Sequence, residues 1–126
     1  MLYLDSSALV KQVVAEAESA SLLAFLVRHP EATLTSSALA RVEVSRAHAV
    51  APDKVAEVLA GVDLIAVSRS VLDLAATLGP PVLRTLDAIH LASAVRLRAD
   101  LTAFVAYDRR LLDAAEALGL PIASPT

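Results

Sequence analysis

The sequence has no cysteine. That excludes disulfides and thiolate metal sites, and it suits a reducing compartment. Lysine is scarce too: of 11 basic residues only Lys11 and Lys54 are lysines, and the rest are arginines. Arginine favours bidentate phosphate recognition, but in so alanine-rich a chain the bias follows composition and carries little weight. There is no excess of positive charge. The formal net charge is −3, so the molecule as a whole does not attract nucleic acid. No apolar stretch approaches the roughly 18 residues of a membrane span. No basic segment followed by an apolar run opens the sequence, so no signal peptide is expected. A cytoplasmic protein with no membrane partner is the expectation.

What is present is apolar material. Of 126 residues, 56% are hydrophobic, and the mean hydropathy is +0.62. A chain of this length fits a single domain, residues 1–126. The apolar content exceeds the needs of a small monomer, and the surplus is expected to cover a subunit or partner interface.

Short, nearly all-apolar segments alternate with helical patterns. Leu2-Tyr3-Leu4 runs into Asp5, and a helix starts at Ser6 or Ser7. A second helical pattern begins at Glu16-Ala17-Glu18, puts Leu22, Leu23, Leu26 and Val27 on one face, and stops near His29-Pro30. Thr33-Leu34-Thr35 reads as a short strand, with Ser36 or Ser37 capping a helix from Ala38 to about Val50. Pro52 restarts a helix that Gly61 ends. Val62 to Val67 reads as a strand, and Ser68 or Ser70 caps a helix to Leu78. Asp87 to Ala99 is helical, with Thr85 as a possible cap. Ala103 to Tyr107 is a buried strand, Arg109 to Leu118 a helix ended by Gly119, and Pro121-Ile122-Ala123 an edge strand. This alternation predicts an α/β fold: a central parallel sheet of short strands flanked by helices on both faces.

Two acids share one setting. Asp5 and Asp108 each follow an apolar strand and precede a helix. Each can simply cap its helix. If both strands lie parallel in one sheet, both carboxylates also emerge at the edge where open α/β sheets bind ligands. On a wheel of the Ala38–Val50 helix, Glu43 and Arg46 fall within the stripe of Leu39, Val42, Ala47 and Val50. Arg41, Ser45 and His48 lie opposite. A carboxylate facing the core must be paired, protonated or metal-bound, so Glu43 either pairs with Arg46 or joins a site. Asp87 favours a helix N-terminus electrostatically and shares a face with Leu91, Ala94 and Arg98, which turns it inward. His90 has no partner motif in the sequence and reads as a hydrogen-bonded structural residue. Four converging carboxylates repel one another unless a cation joins them, and oxygen ligands without cysteine or a histidine cluster favour magnesium or manganese. Such a site suits phosphodiester hydrolysis.

The same residues carry a family resemblance over essentially the whole chain. Leu4-Asp5-Ser6-Ser7-Ala8-Leu9-Val10-Lys11, Arg41-Val42-Glu43-Val44-Ser45-Arg46-Ala47, Leu86-Asp87-Ala88-Ile89-His90-Leu91-Ala92 and Tyr107-Asp108-Arg109-Arg110-Leu111-Leu112 follow in order. Together they resemble the PIN-domain ribonucleases, and among these the VapC-type toxins of VapBC toxin–antitoxin pairs. The resemblance implies a PIN-like domain in which Asp5, Glu43, Asp87 and Asp108 hold Mg2+ or Mn2+. It implies a ribonuclease toxin that cleaves single-stranded or looped RNA, often a tRNA. It also implies a homodimer and neutralisation by a cognate VapB-type antitoxin. Ser7 matches a supporting hydroxyl near the metal, and Arg46, Arg84, Arg98 and Arg109 are candidates to hold RNA phosphates. Two departures stand out: Ala106 replaces a hydroxyl residue common before the fourth acid, and Arg109-Arg110 replace a further acid found in some relatives. The alternative within this fold is a PIN-like protein that binds RNA or antitoxin with little catalysis. A phosphorelay receiver would need an acidic pair after the first strand and a late lysine, and a haloacid-dehalogenase-like phosphatase would need an acid where Ser7 stands.

Overall fold

The structure is a computed structural model that describes residues 1–47 and 49–126. The apolar run Leu2–Leu4 forms strand β1, fully buried because both of its faces are covered. Asp5 ends it and caps helix α1, Ser6–Val13, its Oδ1 accepting the Ala8 N–H at 3.0 Å. Helix α2 (Ser19–Val27) leads to strand β2 (Leu34–Ser37) and the short helix α3 (Ala40–Ser45). Pro52 opens helix α4 (Pro52–Ala60), and Gly61 closes it. Strand β3 (Asp63–Ile65) precedes helix α5 (Arg69–Ala75), capped by Ser68. Helix α6 (Thr85–Val95) is followed by strand β4 (Ala103–Val105). Asp108 caps helix α7 (Arg109–Ala117), and strand β5 (Ile122–Ala123) closes the sheet.

All strand pairs are parallel, in the order β3-β2-β1-β4-β5. Strand pleating sends Leu2 and Leu4 into a core shared with α1 to α4, while Tyr3 and Phe104 enter a second core under α6 and α7. Helices therefore cover both faces, as the apolar strands predicted. The chain leaves β1 towards β2 on one side and returns through β4 on the other. The strand order thus reverses between β1 and β4, and a crevice opens beyond their carboxyl ends.

Several local expectations need correction. The helix predicted from Ala38 to Val50 is much shorter, because β2 extends through Ser37 and Ala49 takes a left-handed φ of 62°. Its buried residues are Ala40 and Val44; of the predicted stripe Leu39, Glu43 and Val50 are half-buried, whereas Val42, 59% exposed, and Arg46 turn outward. The position assigned to His48 on that wheel lies outside the described residues. In α2, Leu22 is buried but Leu23 and Val27 are exposed, which splits the face assigned to them. The helix assigned to run on to Leu78 stops at Ala75, and the one assigned to run on to Ala99 stops at Val95. Arg84 holds the cap position of α6 without a side-chain bond, and Thr85 is its first residue rather than its cap. Among the described residues no helix is long and apolar enough to cross a membrane.

Candidate active site

The β1–β4 crevice is built from strand ends. Leu4 pairs with Val105, and the Asp5 N–H bonds the Val105 carbonyl at 3.1 Å. This register brings Asp5 and Asp108 to the same edge, each at a helix N-terminus where the helix dipole favours an anion. Each is a cap and an edge acid at once, so the two readings of these residues are compatible. Ser7 joins the two loops: its Oγ donates to Asp5 Oδ1 at 2.6 Å and accepts the Tyr107 N–H at 3.2 Å.

Asp5 is 5% exposed. Burial pushes its carboxyl above the usual range, and the bonds from Ser7 and Ala8 offset that only in part. The nearby Asp87 charge adds to the rise. Asp87 arrives from the first turn of α6, half-buried, with its Oδ2 accepting from Arg84 Nε at 3.0 Å. The same guanidinium reaches Asp108 Oδ2 at 3.8 Å. Arg84 thus supplies positive charge between two of the acids, and their carboxylates in turn raise its own pKa.

Glu43 comes from α3 and points inward even though its helix is shorter than expected. It does not pair with Arg46, which is exposed and has no ion pair among the described residues. Its Oε1 instead accepts from Ser6 Oγ at 2.6 Å and from His90 Nε2 at 2.7 Å. Burial pulls the Glu43 carboxyl up, but the bonds from His90 and Ser6, with nearby positive charge, outweigh it and hold the group below the usual range.

His90 is the residue that sequence reading set aside. It is 1% exposed, and its Nδ1 lies 2.8 Å from the Tyr3 hydroxyl. One signal could have placed it: His90 follows Asp87 by three residues, one helical turn, and so shares its face. Ser6, read from the sequence only as part of the helix start, was not assigned to the site either.

The other arginines divide. Arg109 pairs with Asp113 on α7 at 3.0 Å, near the crevice. Arg98 does not pair with the acids: it lies beyond the far end of α6, in the turn that leads to β4. Its guanidinium sits beside Gly119 instead.

The donor set suits a hard divalent cation, since every acid offers oxygen alone. Among the described residues Asp5 Oδ2, Asp87 Oδ1 and Glu43 Oε2 carry no hydrogen bond and so remain able to ligate. As the side chains stand, no three His, Asp or Glu groups among the described residues gather tightly enough to hold an ion. Arg84 holds Asp87 and Asp108 instead, and at 71% exposure it is free to turn away into solvent. The oxygen donors are of the kind such a cation takes, and holding one would require Arg84 to give up Asp87 and Asp108.

A five-stranded parallel sheet with acids at the carboxyl edge of its switch point makes this a PIN-like α/β domain. No protein-family model matches the chain. Individual relatives do. The chain is 48% identical over 130 residues to Ribonuclease VapC46 of Mycobacterium tuberculosis (strain ATCC 25618 / H37Rv), covering 99% of this chain and 98% of the relative. It is 40% identical over 133 residues to Ribonuclease VapC47 of M. tuberculosis (strain CDC 1551 / Oshkosh), covering 99% and 97%. Ribonuclease VapC35 of the same strain is 45% identical over 131 residues, again covering 99% and 97%. The chain belongs to the VapC family of PIN-domain toxins.

Proposed function

We propose that this chain is a metal-dependent endoribonuclease toxin that cleaves single-stranded or loop regions of structured RNA, such as a tRNA, using Mg2+ or Mn2+. The observation that carries the reading is the meeting of Asp5 and Asp108 across the β1–β4 switch with Asp87 and Glu43 beside them. The names of the relatives, all ribonucleases, support it.

In this mechanism Asp5, Asp87 and Asp108 would hold the ion, and Glu43 would take part from the α3 side. A divalent ion bound there supplies a Lewis acid for the scissile phosphate and lowers the pKa of a bound water. Glu43 is the suited base: it stays ionised, its Oε1 is held by Ser6 and His90, and its Oε2 is left to orient the attacking water and take its proton. Water oxygen bonds to phosphorus while the bond to the leaving oxygen breaks. Ser7 keeps Asp5 Oδ1 engaged, so Oδ2 is the oxygen left to ligate a cation. Arg84, released from Asp87, moves onto an RNA phosphate, with Arg46 and Arg109 further out on the rim. Local positive charge of this kind is what an acidic protein needs to hold RNA.

A homodimer acting in the cytoplasm and a VapB-type antitoxin that neutralises it complete the proposal. Exposed Leu23, Val27, Val42, Leu72, Val82 and Leu86 provide apolar surface for such contacts. The experiment is incubation of purified, antitoxin-free chain with total cellular RNA in Mg2+, Mn2+ or EDTA. Discrete products are expected with either metal and none with EDTA, and the cognate antitoxin should suppress them. A folded protein that yields no products with either metal would overturn the reading.

A further inference from the structure

We propose that Tyr3 and His90 are positioning residues: a directed hydrogen-bond chain from the sheet core fixes the His90 tautomer and aims Glu43 at the reacting water. The inference rests on the reading of Glu43 given above. Tyr3 belongs to β1 and is 0% exposed. Its ring stacks on Phe104 at 5.3 Å with a 10° interplanar angle and meets His90 edge-on at 5.9 Å. The phenol therefore cannot swing away. Burial raises its pKa far above the ordinary value, so it keeps its proton.

Donor and acceptor accounting then sets the direction of every bond. The Tyr3 hydroxyl lies 2.8 Å from His90 Nδ1, and the Ser93 and Ser36 hydroxyls stand close enough to bear on it as well. The direction follows from the far side of the ring: Nε2 meets a carboxylate oxygen, so a neutral imidazole is bare at Nδ1 and takes the Tyr3 proton as acceptor. The imidazole proton must then sit on Nε2. There it faces Glu43 Oε1 at 2.7 Å, a carboxylate oxygen that can only accept. Ser6 Oγ, 3.1 Å from Nε2, donates its own proton to the same Oε1 at 2.6 Å. The chain reads Tyr3 O–H to His90, His90 Nε2–H to Glu43, and Ser6 O–H to Glu43. Both donors converge on one carboxylate oxygen, which restrains the Glu43 side chain and leaves Oε2 without a hydrogen bond among the described residues. A partner that fixes the tautomer of a histidine beside a metal site is a recurrent device for orienting that site.

The test combines a structural readout with kinetics. In the metal-free wild type, nitrogen NMR of His90, assigned with His90→Gln, should show Nε2 protonated and Nδ1 bare. Tyr3→Phe keeps the stack on Phe104 and deletes only the hydroxyl, so the preference for that tautomer should weaken. In RNA cleavage, His90→Leu should lower kcat by about 10–100-fold with KM changed less than about twofold, since Glu43 acts in the transition state rather than in RNA binding. Tyr3→Phe should lose several-fold in kcat. His90→Gln, whose amide nitrogen can replace Nε2 as donor, should recover part of what His90→Leu loses. If His90→Leu does not fold, Tyr3→Phe and His90→Gln carry the test. A proton found on Nδ1 in the wild type overturns the proposal, as do folded Tyr3→Phe and His90→Gln proteins with wild-type kcat and KM. Failure of the wild type to cut RNA would instead strike the functional reading, with the tautomer still reporting on the chain.

Discussion

Asp5→Asn is expected to reduce RNA cleavage by on the order of a thousandfold or more while leaving the fold intact. The size follows from removing one charged ligand from a site whose ion contributes several kcal/mol to the transition state. The fold survives because asparagine keeps what the local structure uses. Its side-chain oxygen can still accept the Ala8 N–H and the Ser7 hydroxyl, and Asn caps helices as well as Asp does. Stability should even move the other way. The folded-state pKa of Asp5 is raised above its unfolded value of 3.8, so the buried carboxylate resists ionisation. Such a group stabilises the fold fully only below its unfolded pKa, and the contribution is lost as pH rises through the folded value. At pH 7 the metal-free wild type is therefore less stable, on account of Asp5, than it is below that unfolded value. Asp5→Asn should melt at the same temperature or higher at pH 7, with the difference shrinking as the pH falls towards about 4. Thermal melts of metal-free protein across that range check the sign. A variant that melts well below the wild type at pH 7 would show Asp5 to be structural first.

The largest effect on stability is expected at Phe104. It is 0% exposed at the centre of β4, stacked on Tyr3 and packed among Leu91, Leu111 and Leu112. Truncating a buried phenylalanine costs about 3–5 kcal/mol, a large share of the roughly 5–15 kcal/mol that holds a typical domain folded. Phe104→Ala should therefore shift the urea midpoint steeply, without a matching change in the slope of the transition. Its effect is not confined to the core. Phe104 is the surface on which the Tyr3 ring rests, and Tyr3 in turn holds His90 and Glu43, so whatever fraction remains folded should also cleave slowly. A loss below about 1 kcal/mol would mean that the second core repacks around the gap.

Much of this architecture was legible because its signals are local. Leu2-Tyr3-Leu4-Asp5 and Ala103-Phe104-Val105 announce buried strands, and Pro52 and Gly61 bracket α4 at the positions their backbone chemistry favours. Asp5 and Asp108 were legible for the same reason, each standing where a strand ends and a helix begins. The misreadings come from alanine and from distance. In an alanine-rich helix the apolar and polar faces differ little, so the wheel over Ala38–Val50 favoured Val42, while the core took the small Ala40 together with Val44. Arg98 looked close to Asp87 in sequence, but α6 runs to Val95 and Arg98 lies in the turn beyond it, away from the acids at the helix's start. His90 needed contacts with residues 47 and 87 positions away, which no local pattern announces.

Binding of Mn2+ to the RNA-free protein, followed by the spectroscopic signal of the unbound ion, tests most directly whether the four acids form one metal centre. Wild type, Asp5→Asn, Asp87→Asn, Asp108→Asn and Arg84→Ala would be titrated side by side. Each acid variant is expected to weaken binding by about tenfold or more. Arg84→Ala should strengthen it several-fold, because the guanidinium that now holds Asp87 and Asp108 no longer competes. Mn2+ binding that is unchanged in all three acid variants would contradict the account at its centre.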